Sequence, residues 1–142
     1  MKRRRSREYA LQILFQLELT GNKLSNEVLD EFWESIKEDD EVKQFTYDIV
    51  SSTLANLETI DRVIQKAAEH WAIERMAAID RNILRAATNE ILYRSDIPSS
   101  VAINEALEIA KKYSTEDSAP FINGILDRIA EEGIHPSSSS KE

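Results

Sequence analysis

The chain has 142 residues, of which 42% are hydrophobic and 31% charged, a composition that fits one compact folded domain. The lack of cysteine excludes disulfides and thiolate metal sites, and with only two distant histidines we expect no metal, no cofactor and a reducing, cytoplasmic location. The formal net charge of −8 excludes a uniformly basic nucleic-acid-binding protein, and no apolar run approaches the roughly 18 residues of a membrane span.

The first feature along the chain is a group of basic residues, here called the basic cluster. It holds five of the 18 Lys and Arg residues within the first seven positions, without any acidic residue. Arginine forks match phosphate oxygens and stack on bases, so the cluster predicts a short RNA-binding arm on an acidic body. The alternative is a solvated basic helix start, although cations are unfavourable there. The basic cluster consists of Lys2, Arg3, Arg4, Arg5 and Arg7.

Apolar residues then recur with helical spacing along the chain, and no segment alternates as a strand would. Gly21 is a plausible left-handed cap, Ser25 an N-cap, and Pro120 fits the first turn of a helix. The pattern predicts an all-α fold of about seven helices. They run from about Ser6 to Leu19, through Val28–Ile36, through Val42–Leu54, from about Thr59 to Ala68, from about Ala77 to Tyr93, from after Pro98 to about Tyr113, and through Phe121–Ile129.

We expect one domain over residues 1–132, with residues 1–7 as the basic arm. Gly133 should stop the last helix, and the serine-rich residues 133–142 should form a disordered tail. The sequence contains no Gly-rich phosphate loop, no cluster of metal ligands and no nucleophile elbow. We therefore expect a protein that is not an enzyme.

Two helical segments have unusual residues. Arg81 and Arg85 are four positions apart and share a helix face, which predicts the exposed charged side of a core helix. Gly124 lies inside a helical pattern at a cost of roughly 1 kcal/mol relative to Ala. We expect it to allow close approach of a neighbouring helix, with a binding surface as the alternative.

Several segments together resemble the NusB family of transcription antitermination factors in their order and spacing. The similarity extends from about Arg3 to Ile129. Ser6 stands where the family often has Ala, and Pro120 stands where it often has a basic residue, so no basic contact is expected there. The segments are Arg3–Glu8 before an apolar helix, Asp96–Ala106 with its continuation Lys111–Asp117, and Phe121–Asp127.

The resemblance implies two packed three-helix bundles with the first helix central, and no enzymatic activity. It implies binding to boxA RNA of ribosomal RNA leader transcripts with the ribosomal protein NusE. That complex joins other Nus factors on the RNA polymerase elongation complex and suppresses premature termination. Carried onto this chain, the basic cluster should contact RNA, and Arg85 should extend that surface. Glu74, Asp80 and Asp117 should face NusE, since an acidic body suits a basic ribosomal protein.

Three alternatives stay open. The chain also resembles the N-terminal domain of some ribosomal RNA cytosine methyltransferases, although it has no nucleotide-binding domain and no cysteine nucleophile. A helical adaptor that binds only proteins would lose nothing when residues 1–7 are deleted. Some members of the family form homodimers, and nothing in this sequence decides between monomer and homodimer.

Overall fold

The computed structural model describes residues 1–132, and these form seven α-helices and one short 3-10 helix without any strand. The predicted end of the last helix at Gly133 and the predicted tail lie outside the described residues. The helices are α1 (Lys2–Thr20), α2 (Asn26–Trp33), α3 (Asp40–Ala55), α4 (Leu57–Ala68), α5 (Ala78–Tyr93), α6 (Ser99–Tyr113) and α7 (Ser118–Glu132), with the 3-10 helix at Ile73–Arg75.

The residues predicted from the sequence to cap or begin helices have these roles in the structure. Gly21 ends α1 with φ of 74°, and its N–H donates to the Leu17 carbonyl at 2.9 Å. The Ser25 hydroxyl accepts from the Val28 N–H and caps α2. Pro120 lies in the first turn of α7, where a backbone N–H would have no partner within the helix, so its absence costs no helical hydrogen bond. The largest difference is at α1, which begins at Lys2 rather than near Ser6.

The helices pack in two groups that share α1. One face of α1 buries residues such as Ile13 and Leu14 against Val50 of α3, with α2 covering this first core. Leu11, on another face of α1, joins the second core between α4, α5, α6 and α7. The predicted all-α fold in two packed groups is confirmed. Besides α1, the second group contains α4, α5, α6 and α7.

Short α2 has no fully buried residue, and it packs on the first core through the partly buried side chains of Val28, Leu29 and Phe32. Tyr9 of α1 contacts Trp33 edge to face with ring centroids 5.0 Å apart, and Phe32 with centroids 6.0 Å apart. Such edge contacts stabilise aromatic pairs beyond their buried area. They fix the α2–α3 connection, which carries acidic residues, beside the start of α1.

Gly124 does not bring two helices close together. It is exposed on α7, and a Cβ built there would meet nothing within 4 Å. The expected close helix packing is therefore wrong. In residues 1–132 no helix is long and apolar enough to cross a membrane.

Candidate nucleic-acid interface

The basic cluster forms the first two turns of α1 and is not a separate arm ahead of it. This corrects the expectation that residues 1–7 are a free basic arm. Cations weaken a helix at its positive N-terminus, so the helix needs compensation to begin here. That compensation comes from carboxylates of α6, of α5 and of the α2–α3 connection, which the fold brings to this end of α1.

Arg7 is a structural member of the cluster. Its side chain is 8% exposed and that of Glu90 is 4% exposed. The Arg7 Nε and Nη2 atoms donate to the two Glu90 carboxylate oxygens at 2.9 and 2.7 Å. Beside it the buried Ser6 hydroxyl donates to the Val42 carbonyl at 2.9 Å. Arg7 therefore joins α1 to α5 in the interior and is not available to a nucleic acid in this conformation.

Arg4 and Arg5 reach outward and are each held by one carboxylate. Arg4 donates to both oxygens of Glu105 on α6 at 2.9 and 2.6 Å. Arg5 donates to both oxygens of Glu38 at 2.8 and 3.3 Å, and the Tyr9 hydroxyl donates to the same carboxylate. These hydrogen bonds lower the pKa of Glu38 from 4.5 to about 2. Both arginines stay partly exposed.

Lys2 lies beside the N-terminus of α3, where its amino group is 3.3 Å from Asp39 and 3.2 Å from Glu41. All three side chains are more than half exposed, so solvent screens the pairs and they contribute little stability. Exposed pairs of this kind can exchange one anion for another. Lys2 is therefore well placed to contact a phosphate.

Arg3 differs from its neighbours, because among residues 1–132 it has no carboxylate within salt-bridge distance. Its guanidinium lies over the Phe45 ring, 4.6 Å from the centroid, where the negative face of the ring holds it. Arg3 is exposed. It is the member of the cluster whose charge is least neutralised by the protein itself.

Arg85 lies at the opposite end of α1 and cannot extend the cluster, contrary to the expectation. It pairs with Glu18 at 2.7 Å and Asp61 at 2.8 Å. Eleven residues of helix separate Glu18 from Arg7, which is roughly 16 Å along the axis. Arg81 also binds Glu18, and it donates to two carbonyls of the preceding connection. The predicted exposed charged face is instead a mostly covered ion-pair network.

The predicted partner-facing residues lie near a second surface. Asp80 and Asp117 line a hollow of about 620 Å³, and Glu74 is exposed on the nearby 3-10 helix. Asp80 itself is buried and accepts hydrogen bonds from the hydroxyls of Ser114 and Ser118. It therefore fixes the α6–α7 connection that carries Asp117, and offers a partner little free charge.

Sequence reasoning missed Trp71 at this hollow. Its side chain is 64% exposed, and its ring meets Phe121 edge to face at 5.8 Å. An isolated Trp in a predicted connector carries no periodic signal, so only its exposure in the fold identifies it. Over the described part of the chain, no group of three or more His, Asp and Glu side chains could hold a metal ion.

Comparison with known proteins decides the family. A sequence model of the NusB family matches residues 4–131. The transcription antitermination protein NusB of Thermodesulfovibrio yellowstonii is 51% identical, with 99% of this chain and 100% of that protein covered. The protein of the same name from Desulfitobacterium hafniense is 46% identical over 92% of this chain and 89% of its own length. The chain belongs to the NusB family.

Solved structures agree with this assignment. T. maritima NusB is 39% identical and superposes with a TM-score of 0.81, covering 99% of this chain and 97% of its own. The NusB-family fold also recurs in a crystal structure of the antitermination factors NusB and NusE with double-stranded RNA, at 23% identity and a TM-score of 0.83, covering 92% of this chain and 97% of that one. At that identity the likeness concerns the fold alone.

Proposed function

We propose that this chain is a transcription antitermination factor that binds boxA-type RNA in ribosomal RNA leader transcripts together with NusE. Its role is to join an RNA and a protein, without catalysis, on the RNA polymerase elongation complex with other Nus factors. It acts where transcripts are made, in the cytoplasm. The observation that carries the proposal is the charge distribution. This NusB-family chain has a net charge of −8, yet exposed cations are concentrated at the N-terminal end of α1.

The RNA contacts we propose are the outward members of the basic cluster. Lys2, Arg3, Arg4 and Arg5 are at least partly exposed, whereas Arg7 supports them from the interior. The acidic body repels RNA elsewhere, so complementary charge selects this end of the molecule. Ion pairs with carboxylates hold three of the four side chains in place, and phosphates must displace those carboxylates.

For NusE we propose the surface around the hollow that Asp80 and Asp117 line. Exposed Glu74 and Asp117 supply negative charge toward a basic ribosomal protein, and Trp71 supplies the kind of large aromatic anchor that dominates binding energy at interfaces. Asp80 contributes by holding the α6–α7 connection in place. A homodimer stays a prediction.

The RNA proposal is tested with labelled boxA-type RNA and a scrambled control, with and without NusE, across a salt series. These four cations alone contribute at most about 2.8 to the slope of log affinity against log salt, at roughly 0.7 per phosphate on a single strand. Arg3→Glu should weaken binding of boxA-type RNA, because it reverses a charge that no carboxylate of the described residues neutralises. Arg62→Glu, a matched change of an exposed arginine on α4, should not.

Preferential binding of boxA-type RNA that NusE strengthens supports the proposal. Equal and weak binding to both RNAs, with no response to NusE, would instead favour the adaptor that binds only proteins. Deleting residues 1–7 is a poor test, since it also removes the buried Ser6 and Arg7 and weakens the fold.

The NusE proposal is tested separately by calorimetry. Asp117→Lys and Trp71→Ala should each weaken NusE binding, whereas Asp30→Lys, an exposed acidic residue on α2, should leave it unchanged. Unchanged NusE affinity in the Asp117 and Trp71 variants would remove this surface from the proposal.

A further inference from the structure

A fifth arginine lies beside the basic cluster although it is distant in the sequence. Arg94 follows α5, and its guanidinium is 5.3 Å from the centroid of the Phe45 ring that also holds Arg3. The Phe45 ring thus has two guanidinium groups beside it at the surface, and the buried Arg7 guanidinium lies 5.8 Å from the same centroid. Cations over the face of a ring are attracted by its quadrupole, which offsets part of their mutual repulsion.

Arg94 is prepared for a further ligand. Its Nε and Nη2 atoms donate to the two Asp96 oxygens at 2.9 and 2.8 Å. In the described part of the chain its Nη1 atom has no hydrogen-bond partner, and the side chain is 30% exposed. Asp96 and the Phe45 ring therefore fix the orientation of a guanidinium that still has free N–H groups.

Two hollows lie beside Arg3, and both are lined by cationic and acidic side chains together. Arg3 and Asp96 line one hollow of about 270 Å³ whose other walls include Pro98 and the exposed Val101. On the other side of Arg3 a hollow of about 280 Å³ is lined by Lys2 and Phe45. A single RNA strand that crosses Lys2 and Arg3 reaches the Phe45 ring, beside which Arg94 also lies.

We propose that Arg94 is a further RNA-contacting residue, which with Arg3 binds a backbone phosphate of single-stranded RNA above the Phe45 ring. The inference rests on the proposed RNA-binding function and adds to it a residue outside the N-terminal cluster. A guanidinium offers paired N–H donors that match phosphate oxygens, and its orientation here is fixed before binding. The competing view is that Arg94 and Asp96 only close the turn after α5.

The test uses the full chain, the labelled boxA-type RNA and the same salt series. Arg94→Gln should weaken binding about tenfold at low salt, as expected for a charge-assisted hydrogen bond, and reduce the salt slope by about 0.7. Asp96→Asn should tighten binding, because it removes a negative charge that repels the phosphate, while the asparagine side-chain oxygen can still accept a hydrogen bond from Arg94. Arg62→Gln is the control for the loss of one positive charge, and urea denaturation confirms that each variant is folded.

If the wild-type chain binds boxA-type RNA and Arg94→Gln binds it with the same affinity and the same salt slope, the inference is overturned. The proposed function is then left intact. An unchanged affinity in Asp96→Asn would also count against it, since the turn-closing role predicts no effect on RNA. Failure of the wild-type chain itself to prefer boxA-type RNA would overturn the proposed function instead.

Discussion

At the scale of single residues, the basic cluster divides into structural and accessible members. Arg7 is in the interior with Glu90, Arg4 and Arg5 are each held by one carboxylate, and Arg3 lies on an aromatic ring. The same residue type therefore has different roles within five positions. A substitution that weakens RNA binding can act through stability at Arg7 and through charge at Arg3.

Breaking the buried pair should destabilise the fold. Arg7→Met leaves the Glu90 carboxylate buried without a partner, and we expect the free energy of unfolding to fall by about 3–5 kcal/mol. The double variant Arg7→Met/Glu90→Met should recover most of this loss, because neither charge is then buried. Urea denaturation measures both. A single variant within about 1 kcal/mol of wild type would contradict the buried role.

Glu38 should make stability depend on pH. Its pKa is about 2 in the folded chain against 4.5 for an ordinary Glu, because Arg5 and Tyr9 hydrogen-bond to its carboxylate. The unfolded chain binds the proton first as pH falls, so the contribution is fully present above pH 4.5 and is lost between 4.5 and 2. Glu38→Gln should be less stable than wild type at pH 7, and the difference should close towards pH 2.

The measurement is urea denaturation at several pH values, with the exposed Glu131→Gln as control. A difference between Glu38→Gln and wild type that stays constant from pH 7 to pH 2 would show that the ionised carboxylate is not what stabilises this contact.

At the scale of helices, α1 and α3 begin at the same end of the molecule. Asp40 and Glu41 in the first turn of α3 suit its positive N-terminus, whereas Lys2 at the start of α1 does not suit its own. The contacts of Lys2 with Asp39 and Glu41 join these two helix ends. The two carboxylates place negative charge beside the Lys2 amino group at the start of α1, although solvent exposure keeps the contribution of these pairs to stability small.

Replacing Gly124 in α7 and Gly21 at the C-terminal cap of α1 by alanine should change the stability of the fold in opposite directions. Gly124→Ala should raise the free energy of unfolding by about 0.5–1 kcal/mol, because a Cβ fits there and alanine restricts the unfolded chain. Gly21→Ala should lower it, because φ of 74° disfavours a side chain. Thermal and urea denaturation compare the two. Loss of stability in Gly124→Ala would show that α7 needs glycine for its own backbone.

At the scale of the whole molecule, α1 contributes to both cores and should make them unfold together. Val50 lies in the first core and Leu126 in the second, and both are fully buried. Residues on different faces of one helix connect the two cores, so loss of packing in one should weaken the other.

Amide hydrogen exchange tests this coupling. Val50→Ala removes two buried methyl groups and should cost about 2 kcal/mol. The slowest exchanging amides of α7 should lose the same protection as those of α3. If α7 kept wild-type protection while α3 lost it, the two groups would be independent unfolding units.

The sequence by itself determined the helices and the family. Apolar spacing, Gly21, Ser25 and Pro120 act within a few residues of where they stand, so they can be read without the fold. The motifs that resemble the NusB family are likewise local in the chain. The sequence placed the basic cluster ahead of the first helix, whereas in the structure it forms the first two turns of that helix.

Only the tertiary structure decided which of these cations are free. Glu90 and Glu105 reach α1 from distant helices, and Arg94 meets Arg3 across a ring that belongs to α3. The burial of Asp80 and the exposure of Trp71 were equally hidden from sequence. Burial and ion pairing depend on contacts between residues far apart in the chain, and a helical pattern specifies which face is apolar but not what charge lies opposite it.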